Sequence, residues 1–273
     1  MKARVLAFAK LNLNLEVIKR RADGYHEIRS IVQTIDLADR LTLTDASDVC
    51  VVCEARIDGI NLAERAARAV LERKNAARGV RIELEKRIPM GAGLGGGSSD
   101  AAAVLAVLNR CTSPRLDGRT LREIGASLGA DVPLFLDGGC LELSGLGTQT
   151  RRLPARSESY LVVVPPIHCA TADVYRAWSP DQETEPSGRL GRNDLAAPAA
   201  NLHPALAAIA DAVRHVGGSY SGMSGSGSAF FAAFETRAGA EAAQTRLAGR
   251  LNDARVYCCD ATTAGYAQEG DDG

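Results

Sequence analysis

The stretch IPMGAGLGGGSSDAA, residues 88–102, places five glycines in the seven positions from Gly91 to Gly97. Before it, GVRIELE at 79–85 alternates like a strand. After it, SSDAAAVLAVLNR reads as an apolar helix with Ser98 or Ser99 at its cap and Asp100 in its first turn. Without a β-carbon the backbone can turn through positive φ and come close to a ligand. The N–H groups of the loop and of the first helical turn then converge on one spot. The helix dipole adds positive potential there, and the result is a phosphate site that needs no cation. Ser98 and Ser99 add hydroxyls suited to phosphate oxygens or to a magnesium ion.

Two common nucleotide loops do not fit. A P-loop requires Gly-Lys, and that pair occurs nowhere in the chain. The spacing G-x-G-x-x-G is present at Gly91, Gly93 and Gly96. However, Pro89 separates the strand from the glycines, and the helix leads to a second helix rather than to a parallel strand.

Working outward, Leu11, Leu13, Leu15 and Val17 alternate with Lys10, Asn12, Asn14 and Glu16, which predicts a long strand with a polar face. An Asp23-Gly24 turn follows, then strand-like runs near 27–35, 39–45 and 48–57. Asn61 is placed to cap a helix that Gly79 would stop, and a further helix is predicted over roughly 118–127. Polar, aperiodic RRLPARSE at 151–158 marks a domain boundary. The second half reads strand (160–164), helix (171–178), loop (179–203), helix (204–215), glycine loop, strand, helix (237–251) and strand. That order suits a ferredoxin-like α+β domain. AQEGDDG at the end reads as a disordered acidic tail.

Composition narrows the function. A formal charge of −1 gives no field for nucleic acid, and no apolar run is long enough to span a bilayer. Seven scattered cysteines fit reduced thiols in a cytoplasmic protein, and Cys50 and Cys53, three apart on a strand, point to opposite sides. Only five of the 32 basic residues are lysines, so Lys10 on a polar strand face stands out. Asp131, in GADVP, lies where a Val-Pro pair fixes the backbone. Phosphoryl transfer to an alcohol needs an acceptor for the hydroxyl proton and a cation for the developing charge. Lys10 and Asp131 are the economical candidates. The second glycine loop, 222–227, equally fits a tight turn.

AKLNLNL at 9–15, IPMGAGLGGGSSDAA at 88–102 and SGMSGSGSAFF at 221–231 resemble the three motifs of the GHMP small-molecule kinases. RADGYHEIRSIVQTIDLAD at 21–39, GADVPLF at 129–135 and NDLAAPA at 193–199 resemble the branch acting on a diphosphocytidyl-linked methylerythritol, in the methylerythritol phosphate route to isoprenoids. The resemblance implies an α+β fold of two domains: a ribosomal-protein-S5-like nucleotide domain over 1–153 and a ferredoxin-like domain over 154–273. It implies ATP and Mg²⁺, phosphorylation of a 2-hydroxyl, and a monomer or weak homodimer.

By motif, Lys10 and Asp131 match catalytic residues and Asn12 a substrate-orienting one. Pro89, Met90, Gly91, Ala92, Gly93, Leu94, Gly95, Gly96, Gly97, Ser98 and Ser99 match the triphosphate loop, with Ser99 the candidate magnesium ligand. Asn61 and Lys86 match residues near the adenine. Tyr25 and His26 match the pair that receives cytosine by stacking and hydrogen bonding, with Tyr175 as a second stacking wall. Alternatives are a homoserine- or mevalonate-type kinase, a nicotinamide oxidoreductase exploiting the chance glycine spacing, and a nucleotide-binding module without catalysis. Phe8 stands where the family commonly has proline, and the loops between 154 and 203 are compressed.

Overall fold

The computed structural model describes residues 1–56, 59, 61–76, 78–179, 186–251 and 253–269. Strand β1 (Lys2–Asn12) lies antiparallel beside β3 (His26–Ala46), and β2 (Glu16–Arg20) folds back on the start of β3. The runs expected at 27–35 and 39–45 are thus one strand of 21 residues. A register shift opposite Phe8 and Ala9 absorbs Asp36 and Leu37 without ending it. On its other edge β3 pairs first with β6 (Cys140–Gly145), then with β5 (Gly79–Glu85). The short strands β4 (Cys50–Cys53), parallel to β5, and β7 (Gln149–Arg152), beside β6, complete this side.

Helices α1 (Leu62–Arg73), α2 (Gly96–Cys111), α3 (Gly118–Leu128) and α4 (Val132–Asp137) join this sheet in one core. Small residues make the packing close: Ala101, Ala102 and Ala103 of α2 and Ala63, Ala66 and Ala67 of α1 are fully buried. Helix α1 ends at Lys74, before the expected stop at Gly79. Asn75 takes the left-handed conformation (φ 51°) that asparagine tolerates. Gly79 instead opens β5 against the backbone of Asp48.

The second sheet runs β11-β8-β10-β9, built from β8 (Ser159–Val164), β9 (Tyr220–Met223), β10 (Phe230–Phe234) and β11 (Arg255–Asp260). With α5 (Thr171–Ala177), α6 (Ala196–Leu202), α7 (Ala205–Arg214) and α8 (Arg237–Leu247), it has the ferredoxin-like strand order. Both of its faces are covered, which is why its central strands are apolar throughout. Leu161, Val163, Phe230 and Ala232 enter a core with α5–α8. Tyr160, Val162, Phe231 and Ala233 meet Ala9, Leu11 and Leu13 of the N-terminal segment.

Three expectations are corrected. The segment 179–203 contains α6, because Pro198 sits in the first turn, where a missing N–H costs nothing. The glycine-rich stretch before 224 opens as β9. The end of the chain is not all tail: β12 (Tyr266–Glu269) returns to pair with β1 in the first sheet, and 270–273 lie outside the described residues. The expected loop positions 180–185 also lie outside them.

Candidate active site

Gly91, Gly93 and Gly95 have φ of 67°, 77° and 73°, so every second residue of the loop uses a conformation that side chains disfavour. The cap of α2 is Gly95, not Ser98 or Ser99, and it supplies no side-chain hydrogen bond. A left-handed glycine turns the chain into the helix one turn earlier than a serine cap would. The first-turn N–H groups of α2 have no intrahelical partner and face a cavity of ≈ 400 Å³. Asn61, Lys86, Pro89, Met90 and the loop from Gly91 to Ser98 line it.

The second glycine loop buttresses the first. The Gly93 carbonyl accepts hydrogen bonds from Lys10 Nζ at 2.7 Å and from Ser224 Oγ at 2.9 Å. The Ala229 N–H donates to the Ala92 carbonyl at 3.1 Å. Asn193 holds the second loop in turn, its Nδ2 donating to the carbonyls of Met223 and Gly225 at 2.7 and 2.8 Å. Sequence reasoning gave no role to Ser224 or Asn193; the serine–glycine density of SGMSGSGS was the available signal. The imidazole of His168, also unforeseen, sits against Gly91.

Lys10 and Asn12 are both buried although they form the polar face of β1, because that face points into the site rather than to solvent. Lys10 Nζ donates to Asn12 Oδ1, and Asn12 Nδ2 donates to Ser30 Oγ at 2.8 Å. Burial pulls the Lys10 ammonium below its ordinary range, and the charge of Asp131 works against that pull. Asp131 is half-buried at the start of α4, with Pro133 in the first turn, and its carboxylate makes no capping bond. Among the described residues it has no hydrogen-bond or ion-pair partner, so it lies within electrostatic reach of Lys10 without being tied to it.

Lys86 is differently placed. Its ammonium bridges Asp39 and Asp100, the latter at 2.8 Å, and the other oxygen of Asp39 accepts the N–H groups of Arg87 and Ile88 at 2.6 and 2.8 Å. Burial would depress the ammonium, but Asp100 and Asp39 carry it above its ordinary value. Burial also pushes the Asp100 carboxyl up, to about 7, with Lys86 opposing and Asp39 reinforcing the rise. This buried trio pins the entry to the glycine loop. It also corrects the expectation of Asp100 as a first-turn residue, since α2 starts at Gly96. Asn61 caps α1, accepting the Ala63 N–H at 2.9 Å, and borders the cavity beside Lys86.

At the far side, His26 stacks in tilted fashion on Tyr175 (5.1 Å between ring centroids) and meets Trp178 edge-on at 5.4 Å. Tyr25 is exposed next to it. Burial, then the charge of Arg20, pulls the His26 imidazole below its ordinary value, which favours the neutral ring. Burial and then the charge of Asp131 push the Tyr175 phenol up. The chain's single tryptophan was missed, lying one helical turn beyond Tyr175. His26 Nε2 and Trp178 Nε1 are buried without hydrogen-bond partners among the described residues.

For a magnesium ion, no group of three or more His, Cys, Asp or Glu side chains is clustered among the described residues. Ser98 borders the cavity, whereas Ser99 Oγ is buried with no partner among the described residues. Such a donor set fits an ion that arrives on phosphates and keeps most of its water, not one caged by protein. All seven cysteines are free; Cys50 is exposed while Cys53 packs on the core. Among the described residues no helix is long and apolar enough to cross a membrane.

Comparison with known proteins agrees with this geometry. Residues 61–139 match the model of the GHMP kinases N terminal domain and residues 185–253 that of the GHMP kinases C terminal domain. A 4-diphosphocytidyl-2-C-methyl-D-erythritol kinase of Solibacter usitatus is 41% identical over 270 residues, covering 86% of this chain and 82% of the relative. The crystal structure of a 4-(cytidine 5'-diphospho)-2C-methyl-D-erythritol kinase superposes with a TM-score of 0.84 at 37% identity, covering 96% of this chain and 99% of the other. A homoserine kinase from Cytophaga hutchinsonii shares the fold alone, at TM-score 0.74 and 17% identity over 98% of this chain and 97% of the other. With both family domains matched and nearly the whole length in common, the chain belongs to the GHMP kinases and, within them, to the 4-diphosphocytidyl-2-C-methyl-D-erythritol kinase family.

Proposed function

We propose that this chain transfers the γ-phosphoryl group of ATP to the 2-hydroxyl of 4-diphosphocytidyl-2-C-methyl-D-erythritol, a step toward isoprenoids. The observation that carries this reading is the Gly93 carbonyl, which joins the triphosphate loop to Lys10, with the uncommitted Asp131 carboxylate in reach. Asp131 takes the hydroxyl proton as the acceptor oxygen bonds to phosphorus and the bond to the β-phosphate oxygen breaks. Lys10 stabilises charge on the transferring group. The first-turn N–H groups of α2 hold the triphosphate as preorganised donors. A magnesium ion, when bound, would neutralise phosphate charge; Ser98, which lines the cavity, would be the hydroxyl to hold it, with the buried Ser99 hydroxyl behind it as the second candidate.

Asn12 orients both Lys10 and the acceptor. Tyr25, His26 and Tyr175, joined by Trp178, receive the cytosine: a neutral imidazole offers the pyrimidine both a donor and an acceptor, and the rings give it flat walls. Asn61 and Lys86 border the adenine. The seven free thiols suit a reducing, cytoplasmic setting. The test is ADP release with ATP and three acceptors in parallel: the diphosphocytidyl alcohol, homoserine and mevalonate. Turnover with the first alone is expected; turnover with either of the others and not the first would reassign the substrate.

A further inference from the structure

A second concavity, of ≈ 280 Å³, lies at the opposite end of α2 from the glycine loop. Helix α2 has 16 residues, about 24 Å from end to end, with the glycine-loop cavity reaching to Asp100 and this one beginning at Ala106. Arg110, Arg115 and Arg122 line the concavity and no carboxylate does. Arg122 is already engaged, donating to Asp137 Oδ1 at 2.5 Å and to the Gly118 carbonyl at 3.3 Å. Arg110 and Arg115 have no hydrogen-bond or ion-pair partner among the described residues.

The negative end of α2, which would ordinarily satisfy such cations, is occupied from the other side. Lys74 is buried there and donates to the carbonyls of Asn109 and Thr112 at 3.1 and 2.8 Å, while Arg78 donates to that of Cys111 at 3.2 Å. The last-turn carbonyls are thus largely spent, and two guanidiniums remain beside a pocket with no anion of its own. The remaining wall is mostly apolar, with Ala106 of α2, Leu121 of α3, Leu136 of α4 and the ring of Tyr266 from β12, beside Gly118 and Asn109, whose amide is spent on the Leu116 backbone. Four elements converge to make it, and the three arginines that line it are themselves exposed.

We propose that this cavity binds a small organic phosphate ester, with its phosphate between Arg110 and Arg115 and its hydrocarbon against Leu121, Leu136 and Tyr266. Guanidinium forks suit phosphate oxygens, and the volume lies near the lower end for small-molecule sites, about 300–1,000 Å³, which limits the body to a few carbons. The site is independent of the kinase reading, since neither guanidinium belongs to the catalytic or nucleotide machinery.

The test is calorimetric titration with n-butyl phosphate and, separately, inorganic phosphate. The protein is first saturated with a non-hydrolysable ATP analogue, so that the glycine loop is filled. Expected are one site per chain, butyl phosphate at least about tenfold tighter than inorganic phosphate, and at least about tenfold weaker binding in Arg110→Gln/Arg115→Gln. The control pair Arg73→Gln/Arg255→Gln, the same charge change on exposed arginines elsewhere, should bind as the parent does. Thermal melting verifies that both variants fold. Three results each overturn the assignment: no binding to the loaded protein, equal weakening in the control pair, or equal affinity for the ester and the inorganic ion.

Discussion

A β-carbon on Gly93 would lie 2.2 Å from the carbonyl oxygen of Ser224, 131 residues further along the chain. The two glycine loops therefore meet backbone to backbone, and the same contact carries the hydrogen bond from Ser224 to Gly93 and the bond from Lys10. The first glycine loop, strand β1 and the second domain share one junction, so its geometry sets the geometry of the candidate site.

Gly93→Ala tests that junction. The left-handed φ alone costs a residue with a side chain about 1–2 kcal/mol, and the collision is with backbone that cannot swing away. ATP affinity should fall by at least about tenfold and the melting temperature should drop. Ser224→Ala removes two hydrogen bonds, the one donated to Gly93 and the one accepted from the Asn12 N–H, worth about 1 kcal/mol each, but leaves the backbone approach intact, so titration calorimetry should show a smaller loss. Equal losses in the two variants would mean that the close approach is unimportant.

Lys10 and Asp131 make a prediction about proton affinity. With only five lysines in the chain, each ¹⁵Nζ resonance can be assigned by substitution. Burial depresses Lys10, and Asp131 partly restores it. In Asp131→Asn the Lys10 resonance should therefore titrate at still lower pH. In the parent, activity should decline with rising pH before the ordinary lysine range, as the ammonium is lost. The stability sign is opposite: between the depressed folded value and 10.5 the unfolded chain binds the extra proton, so this group makes stability rise with pH. Turnover in Asp131→Ala should be about 10²–10⁴-fold lower, with ATP binding retained.

Much of this was legible in the sequence because it is local. The glycine run of 91–97, the Asn61 cap and the alternation of Leu11, Leu13 and Leu15 against Lys10 and Asn12 follow from neighbours a few residues apart. Gly95 as the cap was not legible, since any of five glycines could take a left-handed turn, and the choice depends on Phe135 and Lys10 packing beside it. The pairing of β12 with β1, the backbone contact of Gly93 with Ser224, and the hold of Asn193 on the second loop join segments over a hundred residues apart, or 30 in the last case. Nothing in the local pattern of YAQE distinguishes a returning strand from a polar tail.

The Asp39–Lys86–Asp100 trio predicts a specific pH signature. A carboxyl raised to about 7 in the folded chain, against 3.8 unfolded, binds a proton in the native state that the unfolded state has released. Through that window the native state loses relative stability as pH rises. Other carboxylates have the opposite sign, so the useful quantity is the difference between parent and Asp100→Asn. Urea midpoints should show the parent losing ground to the variant from about pH 4 to about pH 7. A difference that stays flat would place the titration elsewhere. Asp39→Ala, which strips a charge from Lys86 and the acceptor from two buried N–H groups, should cost about 3–5 kcal/mol.

Trp178 separates acceptor recognition from nucleotide recognition. It touches His26 edge-on but does not border the glycine-loop cavity. An aromatic pair contributes about 0.5–1.5 kcal/mol beyond its area, so Trp178→Leu, which keeps an apolar side chain in the core, should raise KM for the diphosphocytidyl acceptor by about 3–10-fold. KM for ATP should stay unchanged. Because burial holds the neighbouring His26 below its ordinary pKa, the imidazole takes up its proton at lower pH than a solvated histidine does. The acceptor KM of the parent should accordingly rise on acidification only below the ordinary histidine range. A KM that climbs already at 6.5 would mean that the imidazole is open to solvent, and the burial imposed by Tyr175 and Trp178 would then not be what sets its charge.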